Sequence, residues 1–233
     1  MDIKVIASGS TGNATKISDG ATSLLLDAGV SVNKLFAGSG FAVSDAHGCF
    51  ITHEHGDHSC AAKPIAKLGV NVYASAGTFD KLNVSGHRFR IVKPLEAVTV
   101  GTFGVMPFDV THDAAEPLGF LVKSNATGEK LVYFSDTAYV KYTFTGITHL
   151  VAECNHGEAE LRQSVRSGAI EAELAKRIAR SHMSLERLVD FVETNDKSRL
   201  KQVYLIHLSD GNSDADRFKR EIQGASGAEV YVC

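Results

Sequence analysis

The chain has 233 residues, of which 44% are hydrophobic and 22% charged, and its formal net charge is −3. This composition excludes disordered and fibrous proteins, and the length suits one domain over residues 1–233 with an α/β or β-sandwich core. The acidic balance disfavours a large basic surface that grips long nucleic acid, although it permits a local basic patch.

The first residues and the cysteines indicate the compartment. The opening segment MDIK is not a signal peptide, and no apolar run approaches 18 residues, so we expect no membrane segment. The four cysteines, at positions 49, 60, 154 and 233, show no C-x-x-C spacing. Free thiols of this kind fit a reducing compartment, and we therefore expect a cytoplasmic protein.

Apolar runs bounded by turn residues predict the elements of the first third of the chain. We expect strands over residues 3–7, 14–18, 23–27, 49–52 and 70–74. Helices are expected over residues 30–37, within 59–68 and over 77–82. Ser59 is the candidate N-cap of the second helix, and Gly69 is its candidate end.

From residue 88 to residue 136 the pattern is strongly β, and helices return afterwards. The predicted strands cover residues 89–92, 97–100, 102–109, 119–123, 130–135, 148–154, 202–208 and 228–232. The predicted helices lie within 157–180, over 185–195 and over 214–223, the last ending at Gly224. Two groups of strands, each accompanied by helices, predict an α/β fold: an αββα sandwich of two mixed β-sheets flanked by helices.

The strongest signal in the sequence is a run of metal-ligand side chains within residues 52–58. The spacing is H-x-H-x-D-H, given by His53, His55, Asp57 and His58. Imidazole and carboxylate are the ligands that zinc and similar divalent ions prefer. If the run follows a buried strand, the first two histidines can reach one ion, and the last two residues can reach a second.

Other polar residues follow apolar strands in the same way. Asp27 ends a run of leucines, where it would either cap the next helix or orient a ligand histidine from behind. His112, Asp136 and His207 each follow a predicted strand and would emerge at the edge of a sheet. Because a two-metal site needs four to five donors for each ion, these three are candidate ligands.

The ordered set of ligands, preceded by L-L-L-D-A-G around Asp27, resembles the metallo-β-lactamase fold superfamily. The resemblance implies that Asp136 bridges two divalent ions and that Asp27 orients a ligand histidine. It also implies a first ion held by His53, His55 and His112, and a second held by Asp57, His58 and His207. Either Zn²⁺ or Mn²⁺ suits this set of donors.

Four further segments resemble the YycJ/WalJ-type exonucleases. They read S-G-S-T-G-N at 8–13, H-D-A-A-E-P at 112–117, E-C-N-H at 153–156 and H-M-S at 182–184. The chain departs from that family's pattern at Gly157, where aspartate is usual, and at Leu185, where asparagine is usual. Glu153 and His182 also resemble a pair in RNase Z, and the resemblance implies that His182 donates a proton while Glu153 holds its other ring nitrogen.

The resemblance implies a phosphodiesterase that hydrolyses nucleic acid, in the manner of an exonuclease, with a metal-activated hydroxide. Asp57, His182 and Glu153 would be its catalytic residues. A cyclic mononucleotide phosphodiesterase of the RNase Z-like group is the alternative, because the chain has no inserted β-CASP domain and no evident arm for tRNA. A non-phosphate metallohydrolase and a zinc-stabilised binding module are weaker alternatives, and an RNase Z-like relative would imply a homodimer.

The basic residues between 157 and 180 allow two interpretations. Arg162, Arg166, Lys176, Arg177 and Arg180 could contact substrate phosphates, or they could form the solvated face of helices. His156 lies beside Glu153 in the E-C-N-H segment, but the sequence gives it weaker support as a site residue.

Overall fold

The computed structural model describes residues 1–40 and 43–233. The strands form two mixed β-sheets flanked by helices, which confirms the predicted α/β architecture. The chain divides into two compact units, unit 1 with residues 1–109 and 114–129, and unit 2 with residues 110–113 and 130–233. That the whole chain is one domain remains a prediction.

Unit 1 contains the elements from β1 to β9. Its strands are β1 (Asp2–Ala7), β2 (Ala14–Ser18), β3 (Ser23–Leu26), β4 (Gly48–Phe50), β5 (Val72–Ala74), β6 (Phe89–Ile91), β7 (Val98–Val100), β8 (Phe103–Asp109) and β9 (Leu118–Ser124). Its helices are α1 (Val32–Gly38), α2 (Gly56–Ser59), α3 (Ala62–Lys67) and α4 (Ala76–Leu82).

The first sheet lies wholly in unit 1 and has the strand order β1-β2-β3-β4-β5-β6. The pairs β1–β2 and β2–β3 are antiparallel, whereas β3, β4, β5 and β6 run parallel. Apolar side chains from β3 to β5 pack with those of the helices, including Leu25, Leu35, Ile65 and Phe79, in one buried cluster. This cluster fixes the parallel strands whose carboxyl ends carry the metal-ligand run.

Unit 2 contains the strands β10 (Lys130–Phe134), β11 (His149–Glu153), β12 (Gln202–Ile206) and β13 (Glu229–Val232), and the helices α5 (Glu158–Arg166), α6 (Ala172–Ser181), α7 (Leu185–Thr194) and α8 (Ala215–Ser226). The four strands pair in sequence order, and every pair is parallel. In unit 1, β7, β8 and β9 form an antiparallel run. Among the described residues, none of the helices combines the length and the hydropathy that a membrane span requires.

Several predicted helix boundaries are wrong. Ser59 does not cap a helix: it ends α2, and its hydroxyl donates to the carbonyl oxygens of Glu54 and His55, both at 2.9 Å. A separate helix, α3, begins three residues later. Gly224 lies inside α8, which continues to Gly227 because that residue, at φ +68°, forms the left-handed cap.

Candidate metal centre

Parallel strands bring the candidate residues of each unit to one sheet edge. In unit 1, Asp27 directly follows β3, and the H-x-H-x-D-H run follows its parallel neighbour β4. In unit 2, Asp136, Glu153 and His207 stand at the ends of the parallel neighbours β10, β11 and β12. The carboxyl ends of adjacent parallel strands meet at the same edge, so Asp27 joins the H-x-H-x-D-H run in unit 1, and Asp136, Glu153 and His207 meet in unit 2, although each group is far apart in sequence.

The three histidines of the metal-ligand run lie together in unit 1. His53 Nε2 is 3.0 Å from His55 Nδ1, and the ring centroids of His53 and His58 are 4.2 Å apart. His58 Nε2 is 3.5 Å from Asp57 Oδ2. His53 and His58 are fully buried, and His55 and Asp57 are half-buried. Imidazole nitrogens this close to one another and to a carboxylate suit a divalent cation better than they suit protonation.

Asp27 orients His58 and does not cap a helix. Its Oδ2 accepts a hydrogen bond from His58 Nδ1 at 2.8 Å, and its Oδ1 accepts from the Thr52 backbone N–H at 2.8 Å. The next helix is capped instead by Ser31, whose hydroxyl accepts from the Lys34 N–H. Because the Nδ1 proton of His58 is directed to Asp27, its Nε2 is the nitrogen left to bind a metal ion.

The S-G-S-T-G-N segment supports the metal-ligand run through Asn13. The Asn13 backbone N–H donates to the Asp57 carbonyl oxygen at 2.7 Å, and its side-chain amide lies 3.1 Å from His58 Nε2. Gly29, whose N–H donates to the Asn13 carbonyl oxygen at 2.8 Å, also packs against the run, and a Cβ there would stand 1.6 Å from the Asp57 carbonyl oxygen. Sequence reasoning missed these contacts, since 44 residues separate Asn13 from Asp57; the polar turn at 8–13 was the only signal.

The H-D-A-A-E-P segment also forms hydrogen bonds that stabilise unit 1. The Ala115 N–H donates to Glu54 Oε1 at 2.9 Å, which fixes the one acidic side chain of the run that is not a candidate ligand. Glu116 Oε2 accepts from the Gly77 N–H at 2.7 Å, at the first turn of α4. A carboxylate at a helix N-terminus is favourable, so this part of the segment stabilises the loop around the site.

In unit 2, Asp136 lies between two histidines. Its Oδ2 is 3.5 Å from His112 Nε2, and its Oδ1 is 3.6 Å from His207 Nε2. His112 Nδ1 is 3.0 Å from the Ser181 carbonyl oxygen, to which it donates. Both histidines therefore direct Nε2 towards one carboxylate that is 4% exposed.

Glu153 joins His182 and His207. Its Oε1 is 2.6 Å from His182 Nδ1 and 3.0 Å from His207 Nδ1, and its Oε2 accepts from the backbone N–H groups of Thr137 and Met183. The rings of His182 and His207 are stacked with centroids 5.5 Å apart. The fully buried carboxylate thus fixes the tautomers of both rings.

Glu153 and His182 shift each other's pKa. Burial alone would raise the pKa of Glu153, but the charge and hydrogen bond of His182 hold it below its ordinary value. Burial alone would lower the pKa of His182, but the charge and hydrogen bond of Glu153 raise it. Burial lowers the pKa of His112 despite the nearby carboxylate of Asp136, which favours the neutral ring that a metal ion requires.

Three residues of the two clusters have left-handed backbones. Asp27, Asp136 and His207 have φ values of 59°, 45° and 56°, respectively. Each stands just past the end of a parallel strand, where the turn aims its side chain along the sheet edge. Such conformations cost about 1–3 kcal/mol for a residue that is not glycine, and they concentrate at functional sites.

Both clusters fit divalent metal ions by the chemistry of their donors. His58, His112 and His207 each have Nδ1 engaged by an oxygen acceptor, and this arrangement leaves Nε2 for a metal. Within unit 2, Asp136, Glu153, His182 and His207 each offer a ligand atom within 4.8 Å of the others. Among these four, Glu153 is already occupied by hydrogen bonds, so its role is to orient histidines.

Comparison with known proteins agrees with this geometry. A family model described as a beta-lactamase superfamily domain matches residues 22–208. Exodeoxyribonuclease YycJ of Bacillus anthracis is 30% identical over 226 residues, which cover 91% of this chain and 84% of the relative.

Two solved structures show the same fold. The metallo-β-lactamase fold protein YhfI from Bacillus subtilis has a TM-score of 0.77 at 16% identity, covering 99% of this chain and 95% of YhfI. The short form of human tRNase Z has a TM-score of 0.66 at 16% identity, covering 100% of this chain and 96% of that enzyme. The chain therefore belongs to the β-lactamase superfamily, as a hydrolase of the metallo-β-lactamase fold related in sequence to exodeoxyribonuclease YycJ.

Proposed function

We propose that this protein is a phosphodiesterase that hydrolyses nucleic acid, in the manner of an exonuclease, with two divalent metal ions. The observation that carries the proposal is the pairing of His182 Nδ1 with the buried Glu153 at 2.6 Å, beside His207. A histidine held in this way can protonate the alkoxide that leaves a phosphodiester. The relationship to exodeoxyribonuclease YycJ supports DNA as the polymer.

We propose the ligands from the order of the donors in the sequence, as the superfamily resemblance implies them. One ion would be held by His53, His55 and His112, and the other by Asp57, His58 and His207. Asp136 would bridge the two ions, because its two oxygens each face a different histidine in unit 2. When bound, the ions would supply hydroxide near neutral pH and stabilise charge on a phosphoryl oxygen.

The chain's own residues would then protonate the leaving group. Glu153 holds Nδ1 of His182, so Nε2 carries the proton that is delivered to the leaving oxygen. The raised pKa of His182 keeps this ring protonated over more of the neutral range. Asp57 is the catalytic carboxylate of the metal-ligand run, where it would hold the second ion beside His58.

Cyclic mononucleotides are the second candidate substrate, and the net charge of −3 favours them over a long polyanion. A non-phosphate substrate is less favoured, since the pair of Glu153 and His182 has no evident use in opening a lactam or a thioester. Zn²⁺ and Mn²⁺ both suit the donor set. We further propose a cytoplasmic enzyme in which residues 1–233 act as one catalytic domain, and a homodimer as in RNase Z-like relatives.

A substrate panel tests this function. The protein loaded with Zn²⁺ or Mn²⁺ is assayed with bis-p-nitrophenyl phosphate, 3′,5′-cyclic nucleotides, single- and double-stranded DNA, and a β-lactam. We expect DNA turnover that a chelator abolishes and added metal restores. Turnover of cyclic nucleotides with intact DNA would promote the second candidate, and turnover of the lactam alone would refute both.

A further inference from the structure

A cavity of about 210 Å³ lies in unit 2, where α5, α6 and α7 meet. Its lining includes His156, Arg162, Ser184 and Arg187, and one carboxylate, Glu158. The catalytic pair of Glu153 and His182 does not line it. The cavity is therefore distinct from the candidate metal centre.

His156 is the most unusual residue of this cavity. It is 2% exposed, and its Nδ1 has no hydrogen-bond partner within residues 1–40 and 43–233. A buried polar atom without a partner destabilises the folded protein. Nearly all such atoms are paired in native proteins, so the unpaired nitrogen indicates that the protein binds a ligand here.

Two helix N-termini begin beside the His156 backbone. His156 precedes Gly157, the N-cap of α5, and forms an isolated parallel bridge with Ser184, the N-cap of α7. The Leu185 N–H donates to the His156 carbonyl oxygen at 2.8 Å, which fixes the two starts side by side. The Glu158 N–H of α5 donates to Glu186 Oε2 at 3.1 Å, and the Arg187 N–H of α7 donates to Ser184 Oγ at 3.3 Å. Helix N-termini carry partial positive charge, so the two together still favour an anion.

Two guanidinium groups add full positive charge. Arg187 is held in place, because its Nη1 donates to the carbonyl oxygens of Ala138 at 3.0 Å and Ala179 at 3.1 Å. Arg162 pairs with Glu158 at 3.2 Å, and both side chains are more than half exposed. An exposed pair of this kind is weak, so Arg162 can exchange Glu158 for a stronger anionic partner.

The cavity is connected to the catalytic pair by two short chain segments. One runs from Glu153 to His156, and the other runs from His182 to Ser184. They are joined by a hydrogen bond from the Asn155 N–H to the Met183 carbonyl oxygen at 2.9 Å. The cavity thus begins three residues from Glu153 along one segment and two residues from His182 along the other.

We propose that this cavity is a second phosphate subsite, in which His156, Arg162 and Arg187 bind a phosphate of the nucleic-acid strand beyond the scissile bond. The proposal rests on the proposed nuclease function. Burial lowers the pKa of His156, so the neutral ring offers one N–H to the anion.

The first test compares an oligonucleotide with a small ester. In the metal-loaded enzyme, R162A and H156F should raise KM for a single-stranded oligonucleotide about tenfold, because each removes a hydrogen bond to a charged group. Values for bis-p-nitrophenyl phosphate, which spans only the metal centre, should change less than about twofold. The control R166A removes the same charge one turn further along α5, outside this cavity, and should leave both substrates unchanged.

A second readout keeps the test valid if a variant folds poorly. The ¹⁵N resonances of the His156 ring are followed in the metal-loaded protein during titration with inorganic phosphate. We expect a saturable shift that is weakened in R162A and preserved in R166A. If the unaltered enzyme cleaves DNA but R162A and H156F have normal KM values, the subsite is refuted. If no nucleic acid is cleaved, the proposed nuclease function is refuted, and the phosphate titration alone decides whether the cavity binds an anion. If the His156 ¹⁵N resonances then do not shift, the subsite is refuted as well.

Discussion

Glu153 Oε1 accepts hydrogen bonds from His182 at 2.6 Å and from His207 at 3.0 Å. One buried oxygen therefore fixes both the candidate proton donor and a candidate metal ligand. Any displacement of this carboxylate would change proton delivery and metal binding together. This shared acceptor leads to a first prediction, on pH dependence.

Replacement of Glu153 by glutamine should move the alkaline limb of the pH–kcat profile to lower pH. The carboxylate raises the pKa of His182, and in the proposed mechanism the protonated ring donates to the leaving group, so activity should fall as pH rises through that raised pKa. Without the charge of Glu153, the pKa of His182 falls, and the alkaline limb of the profile moves to lower pH with it. The profile is measured with DNA at saturating metal. An unchanged limb would show that His182 is not the acid.

Replacement of His182 by alanine should depend on the leaving group. Loss of a general acid costs about 10²–10⁴-fold in kcat for an ester with a poor leaving group, such as DNA. The p-nitrophenolate of bis-p-nitrophenyl phosphate leaves without a proton, so its turnover should fall far less. Steady-state kinetics on both substrates measure the difference. Equal losses on both would instead indicate a role at the metal ions.

Asp27→Asn should weaken metal binding without unfolding the protein. An amide has one acceptor oxygen, which cannot serve both His58 Nδ1 and the Thr52 N–H, and loss of such a partner typically costs 10–100-fold in metal affinity. Competition with a chromophoric chelator measures the change. The matched variant Ser31→Ala removes the true cap of α1 and should cost about 1 kcal/mol in the free energy of unfolding with unchanged affinity.

Gly29→Ala should displace the metal-ligand run. The new Cβ would lie 1.6 Å from the Asp57 carbonyl oxygen and 2.6 Å from the His58 nitrogen, and both are backbone atoms. Such overpacking costs about 1–3 kcal/mol or more, and metal content should fall with it. Gly56→Ala is the control, because a Cβ there has nothing within 4 Å. Urea unfolding and metal analysis distinguish the two variants; equal behaviour would contradict the close approach of Gly29.

The sequence predicted the strands and the candidate ligands because each ligand follows an apolar strand. His53, Asp136 and His207 are recognisable from that local pattern alone. The support for the clusters was not predictable in the same way. Asn13 reaches Asp57, and Ser181 reaches His112, only through pairing across 44 and 69 residues.

Helix ends were the least predictable feature, since capping depends on backbone geometry that composition does not encode. Ser59 is a favourable N-cap residue, yet its hydroxyl bonds back to the preceding turn. Gly224 is a favourable helix end, yet α8 continues because Phe218 and Ile222 are buried along it and Gly227 supplies the left-handed turn. Tertiary packing outweighs local propensity at these positions.

The left-handed backbones of Asp27, Asp136 and His207 restrict which amino acids can occupy these positions. Aspartate, asparagine, histidine and glycine tolerate this conformation best, whereas alanine adds a backbone penalty of about 1–2 kcal/mol to the loss of its side chain. Alanine scanning would therefore exaggerate the chemical role of all three residues, and asparagine is the substitution that isolates it. The amino acids that tolerate this backbone conformation are nearly the same as those that can bind a metal ion. Few conservative substitutions are therefore possible at any of the three positions.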